Sequence, residues 1–115
     1  MRIAVACKGA AKACLITDCV SACRRDTSSG APRLPDGTIA GSILSMDRAV
    51  ANVQHFAGVA LEQAVEMATL SPARGLGCDK SKGSLAPGKD ADIVLFDADV
   101  NVSMTMIDGE VVFQR

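Results

Sequence analysis

The sequence predicts an α/β chain with its helices first and its strands last. Two periodicities carry that prediction. Between Met46 and Ala57 apolar residues recur at helical spacing, with Met46, Ala49, Val50, Val53 and Ala57 on one face. After Cys78 the spacing becomes that of strands: the continuous run Ile93-Val94-Leu95-Phe96, then the alternating stretch from Ser103 to Ile107. Length sets a third bound. A chain of 115 residues makes one small domain, whereas a complete eight-fold β/α barrel takes ~250 residues.

Each element follows in order. Residues 2–12 are rich in alanine and carry lysines, as the tail of a helix would, with Gly9 interrupting it. Residues 13–17 form a short apolar run, expected as a strand that delivers Asp18 to a polar loop. The loop, Arg24 to Gly37, is dense in turn formers and is expected to be mobile unless something covers it. Ser45 is placed to cap the first long helix. Asp47 in its first turn suits the positive end of the helix dipole, and Gly58 ends it. A second helix runs from Ala60 to Leu70. Ser71-Pro72 then reads as a cap followed by proline at the first helical position, with Gly75 and Gly77 as the stop. Asp108-Gly109 is a strong hairpin signal, and Glu110 to Phe113 is the return strand. A strand and one hairpin need something to pack against, because a lone hairpin is marginal in water.

Composition excludes several functions. Aromatic residues are 3% of the chain, with no Trp or Tyr, so stacking platforms for single-stranded nucleic acid are not expected. A net charge of −1 gives no basic footprint for a phosphate backbone. No apolar run approaches the ~20 residues of a membrane span. The opening apolar stretch stops at Lys8, too early for a secretory signal. The cysteines, Cys7, Cys14, Cys19, Cys23 and Cys78, are odd in number and lack a C-x2-C knuckle. Reduced thiols in a cytoplasmic protein, packed as small apolar fillers, are the expected state.

One carboxylate stands out for chemistry. Asp18 closes an apolar run and precedes a polar loop, the arrangement by which a strand end presents an acid. From the pattern alone, an Asp in a turn or cap is the commoner reading. A metal cage around it would need partners, and the chain has a single histidine, His55. His55 lies about half a turn from the apolar stripe of its helix and is expected to face solvent. Gly83-Ser84-Leu85-Ala86-Pro87-Gly88-Lys89 matches the start of a P-loop, but Asp90 stands where Ser or Thr must hold Mg²⁺, and a strand follows. It is expected to be a turn. Arg24-Arg25 are charges of the polar loop that a phosphate would also suit. Met46, Met67, Met104 and Met106 are expected as core filler.

Four segments carry a resemblance to a known family: Leu15-Ile16-Thr17-Asp18-Cys19-Val20-Ser21, Asp36 to Asp47, Met67 to Arg74, and Lys82 to Asp97. Together they resemble the C-terminal third of the N-acetylglucosamine-6-phosphate deacetylases of the amidohydrolase superfamily. The fourth segment marks the superfamily; the second is the more discriminating. The resemblance implies the last strand and helices of a (β/α)8 TIM-type barrel over residues 1–78. Residues 79–115 would then be C-terminal strands of a small β-sandwich domain. It implies a divalent-metal enzyme of amino sugar catabolism, zinc being the expected ion, with Asp18 as general base and then acid in the removal of acetate. Backbone at Ile39, Ala40 and Gly41 would contact the sugar phosphate. The metal ligands of such enzymes, a Glu and two His, and their substrate-gripping His and Arg match nothing in this chain. The N-terminal remainder of the barrel is thus an expected partner, and alone the chain would be inactive. Between Asp18 and Thr38 the chain is shorter than the family pattern by roughly a dozen residues, where a strand hairpin of the small β domain is inserted. Unsatisfied strand edges and helix faces lead us to expect a homo-oligomer. Two alternatives stay open: a piece of another amidohydrolase, such as an amino-acid or cyclic-amide hydrolase, and a non-catalytic, self-associating α/β module.

Overall fold

A computed structural model describes residues 1–20 and 30–115. Helix α1, Arg2–Lys8, stops at Gly9, whose φ of 74° breaks the helical path. A 3-10 turn, Ala10–Lys12, follows. Three helices come after the loop: α2 (Met46–Ala57), α3 (Leu61–Ala68) and α4 (Leu70–Leu76). Three strands close the chain: β1 (Ile93–Phe96), β2 (Val102–Ile107) and β3 (Glu110–Gln114). Helices first and strands last is the order the periodicities predict.

The core lies between α2, α3 and the 3-10 turn. Val50 and Val53 from α2 meet Ala64 and Met67 from α3 and Ala10 from the turn. Val53 is fully buried. Burying such side chains removes apolar surface from water at ~25 cal/mol per Å², which sets the interior face of α2. Met46, expected on that face, is exposed, while Ala57 is half-buried. Ser45 stands extended at the start of α2 but makes no capping bond to the backbone. Its hydroxyl instead holds the Asp47 carboxyl below the usual carboxylate range. At α3 the Gln63 side chain accepts the Ala60 N–H at 3.1 Å, one of the amides that a helix start leaves orphaned.

Helix α4 begins earlier than expected. Leu70 is its first residue, so Ser71 and Pro72 lie inside the first turn. Proline is tolerated there because its missing N–H has no helical partner anyway. Ser71 is therefore no cap. It is buried, and its hydroxyl donates to the Ala10 carbonyl at 3.2 Å, tying α4 to the 3-10 turn. Gly75 is inside the helix, and only Gly77 ends it.

The strands form one antiparallel meander in the order β1-β2-β3. Ile93 pairs with Met106 and Leu95 with Met104. Met106 in turn pairs with Val111. Asp108 and Gly109 both have positive φ, 50° and 85°, as a tight two-residue hairpin turn requires. Lys82 fastens this hairpin to the preceding loop, with its ammonium 2.9 Å from Asp90 and 2.6 Å from Asp92. Asp92 also accepts the Asp108 N–H at 3.0 Å. The stretch Gly83 to Lys89 opens no helix, in keeping with a turn. Val100, between β1 and β2, reaches into the helix core although its φ is +62°, an uncommon conformation for a β-branched residue. The Asp97 carboxylate holds that turn by accepting the N–H groups of Asp99 and Asn101, each at 2.9 Å.

The expected strand over residues 13–17 does not form a ladder. A strand is defined by a paired neighbour, and here the backbone groups go elsewhere. The Leu15 N–H donates to the Met67 carbonyl at 2.8 Å, at the end of α3. Past Asp18 a parallel bridge joins Cys19 to Ser42.

Candidate active site

The two segments named for chemistry meet in space. Asp18 is exposed, and its backbone takes a φ of +52°. Aspartate visits this left-handed region more readily than most residues, but the conformation still costs roughly 1–2 kcal/mol. The Asp18 carbonyl accepts the Ser42 N–H at 2.8 Å. The Ser42 hydroxyl donates to the Thr17 carbonyl and accepts the Leu44 N–H at 3.1 Å. The Cys19 N–H donates to the Thr17 hydroxyl at 3.3 Å. Gly41 is buried against the same turn. A β-carbon there would stand 2.6 Å from the Asp18 carbonyl oxygen and 2.9 Å from Cγ1 of Val20. Only glycine admits this approach of backbone to backbone. The acid is thereby set beside the loop that ends in Gly41.

That loop is ordered by its own bonds. The Leu34 N–H donates to the Thr38 carbonyl at 2.8 Å, and the Gly37 N–H to Leu34 at 2.9 Å. Arg33 and Ile39 form an antiparallel bridge. The Arg33 guanidinium donates to the Gly37 carbonyl at 2.6 Å. The Asp36 carboxylate accepts the Thr38 N–H at 2.9 Å, and this bond holds its carboxyl below the usual range. Residues 32–40 are thus a small tied hairpin, which takes up the last part of the expected loop, Arg24 to Gly37. Turn formers give the chain reversal, but the cross-bonds come from backbone groups that composition does not reveal. Ile39 is exposed. The Ala40 N–H is spent on the Pro32 carbonyl at 2.8 Å, so it is not available to a ligand. Arg24-Arg25 and Cys23 lie outside the described residues.

One groove borders these elements and a second lies apart from them. The first, of about 440 Å³, is lined by Ala31, Ser42, Leu44, Arg48 and Asn52. The second, of about 1030 Å³, separates the helices from the sheet and is mainly apolar, with Val50, Leu70, Ile93 and Phe96 in its walls. Asp18 lines neither of these two; its carboxyl opens to solvent and shares no ion pair among the described residues.

The residues described do not make a metal centre. Among them no three of His, Cys, Asp and Glu converge. His55 stands exposed on α2, as its spacing predicts, with its ring 5.1 Å from that of Phe56. Cys7, Cys14 and Cys78 carry free thiols. No described helix is long and apolar enough to cross a membrane.

What fold and site define is an α/β unit that holds an acid beside a tight glycine loop. The amidohydrolase family matches residues 5–112, and the chain belongs to that family. Among its relatives is the human N-acetylglucosamine-6-phosphate deacetylase, 46% identical over 77 residues, which are 67% of this chain and 19% of that one. The N-acetylgalactosamine-6-phosphate deacetylase of Escherichia coli O157:H7 is 44% identical over 81 residues, 70% of this chain and 22% of that one. The crystal structure of the Thermotoga maritima N-acetylglucosamine-6-phosphate deacetylase superposes with a TM-score of 0.86 at 35% identity, covering 99% of this chain and 34% of that one. The chain spans less than half the length of the curated relatives it matches.

Ser42 lies in the candidate segment Thr38 to Ser42, but sequence reasoning gave its hydroxyl no role; Val100 was missed, and nothing in the pattern marks it.

Proposed function

We propose that this chain is the part of an amino-sugar-phosphate deacetylase that supplies its proton carrier, Asp18. In this reading residues 1–78 end an amidohydrolase barrel, and residues 79–115 belong to its small β domain. The observation that carries it is the junction of Asp18 with Gly41, where the acid in a left-handed turn abuts a glycine loop at backbone distance. Strained backbone of this kind clusters at functional sites. The activities of the relatives supply the substrate class, an N-acetylated hexosamine 6-phosphate, with N-acetylglucosamine 6-phosphate favoured.

Asp18 takes a proton from the water that attacks the acetamide carbonyl. A carboxylate exposed to solvent, with no ion pair among the described residues, is available to accept it. When the C–N bond breaks, the amine departs as the stronger base, and the same carboxyl returns the proton to it. Acetate and the free amino sugar phosphate are the products. Backbone at Ile39, Ala40 and Gly41 borders the sugar phosphate. The Ala40 carbonyl, not its engaged N–H, is the group left to meet a sugar hydroxyl. The family implies a divalent metal. We take it to be zinc, and since the described residues do not fit it, its ligands belong to the remainder of the barrel. That remainder is the partner this reading requires.

The test mixes the purified chain with the separately produced N-terminal part of a relative and measures acetate release in the presence of zinc. Activity should appear only in the mixture. Asp18→Asn should lower kcat by about 10²–10⁴-fold, the usual contribution of a general acid–base. Full activity of that variant refutes the role. Cyclic amides in the same assay test membership of another branch of the family.

A further inference from the structure

We propose that Ser42 is the positioning residue for Asp18, holding the acid's backbone in the left-handed turn that aims its carboxyl. The inference rests on the reading of Asp18 as proton carrier. Two peptide units flank the Asp18 Cα, and Ser42 grips both. Its hydroxyl donates to the Thr17 carbonyl, which belongs to the unit before. Its N–H donates to the Asp18 carbonyl at 2.8 Å, in the unit after. Fixing the two units fixes the two rotations between them, φ and ψ of Asp18. The direction of the hydroxyl is not in doubt: a carbonyl only accepts, and the Leu44 N–H at 3.1 Å fills a lone pair of the same oxygen. One residue thus supplies, through its hydroxyl and its N–H, what an unfavourable conformation needs in order to persist, a surrounding that over-determines it.

The neighbouring loop does not depend on that hydroxyl. With the hydroxyl removed, the bond from the Ser42 N–H to Asp18 and the bond from the Ala40 N–H to Pro32 both remain. Ile39, Ala40 and Gly41 therefore keep their place while the unit before Asp18 is released. Loss of the hydroxyl should act on turnover and spare substrate binding.

The experiment uses the isotope-labelled 115-residue chain and reads the ¹³Cα and ¹³Cβ shifts of Asp18, which report a left-handed backbone. Wild type should show that signature, Ser42→Ala should lose it, and Ser42→Thr, which keeps the hydroxyl, should restore it. A left-handed Asp18 in Ser42→Ala overturns the proposal. Amide exchange in wild type gives an answer even if the alanine variant fails to fold. The Leu44 amide should be protected by the Ser42 oxygen, and exchange at the free rate overturns the proposal. In the mixture with the N-terminal part, Ser42→Ala should lower kcat by about 10- to 100-fold, the scale of a misplaced catalytic group. KM should stay within about twofold, and a loss expressed in KM instead would contradict the assignment. The two readings fail separately. A fully active Asp18→Asn removes the proton carrier but leaves the shift measurement standing, and an unchanged Asp18 signature in Ser42→Ala removes the positioning role alone.

Discussion

Replacing Gly41 by alanine should damage catalysis and stability together. The new methyl would sit 2.6 Å from the Asp18 carbonyl oxygen, where ordinary contact starts at 3.4 Å, so one partner must retreat by about 0.8 Å. The second clash, 2.9 Å to Cγ1 of Val20, closes the sideways escape. Packed backbone does not yield smoothly, and overpacking of this kind costs about 1–3 kcal/mol. For a domain of this size each kcal/mol lowers the melting midpoint by about 4–8 °C. The displaced group is the backbone of the acid itself. A misplacement near 1 Å costs up to about 10²-fold in rate, so kcat should fall by roughly 10- to 100-fold. Thermal melts of the chain and acetate release in the mixture measure both quantities. A Gly41→Ala variant with wild-type kcat would refute the claim that the Asp18–Gly41 contact sets the acid.

Two further perturbations test the frame around the site. Gly75 lies inside α4 with open space where a β-carbon would go, so Gly75→Ala should raise stability by about 0.5–1 kcal/mol in urea denaturation with activity unchanged. Lys82→Met should flatten the acid limb of stability. The Lys82 ammonium, and after it the Asp108 N–H, hold the Asp92 carboxyl below its ordinary value. A depressed carboxyl contributes stability above its unfolded pKa, ~4, and that contribution disappears as pH falls through the lower folded value. Lys82 itself is raised, so its half of the clasp is complete at neutral pH and weakens only in strong alkali. Urea midpoints from pH 7 to pH 2 should therefore fall less steeply in the variant, and parallel profiles would show that the clasp contributes nothing.

Much of this arrangement was legible before any coordinates. The period of α2 marked its buried face at Ala49, Val50 and Val53, because an amphipathic helix has little choice of side. Asp108-Gly109 marked the hairpin because few other pairs accept two positive φ angles. The run Ala13 to Thr17 reads like a strand, yet the helix end at Met67 took the backbone donor of Leu15 and Ser42 took the carbonyl of Thr17. Local pattern gives the tendency to extend; the partner is a tertiary matter. The start of α4 slipped for a related reason, since Ser71 found a buried acceptor in Ala10, sixty-one residues away in sequence. At the site, Asp18 and the segment through Gly41 were both apparent, but their contact was not. It depends on a missing side chain fitting against a carbonyl, and no spacing rule encodes that.

The most direct test of the account compares binding with turnover in Asp18→Asn, using the chain mixed with its N-terminal partner part. Calorimetric titration with N-acetylglucosamine 6-phosphate should give an affinity close to that of the unaltered mixture, while acetate release falls by about 10²-fold or more. Turnover at the unaltered rate, or a loss explained wholly by weaker binding, would contradict a proton-carrying role for this carboxyl.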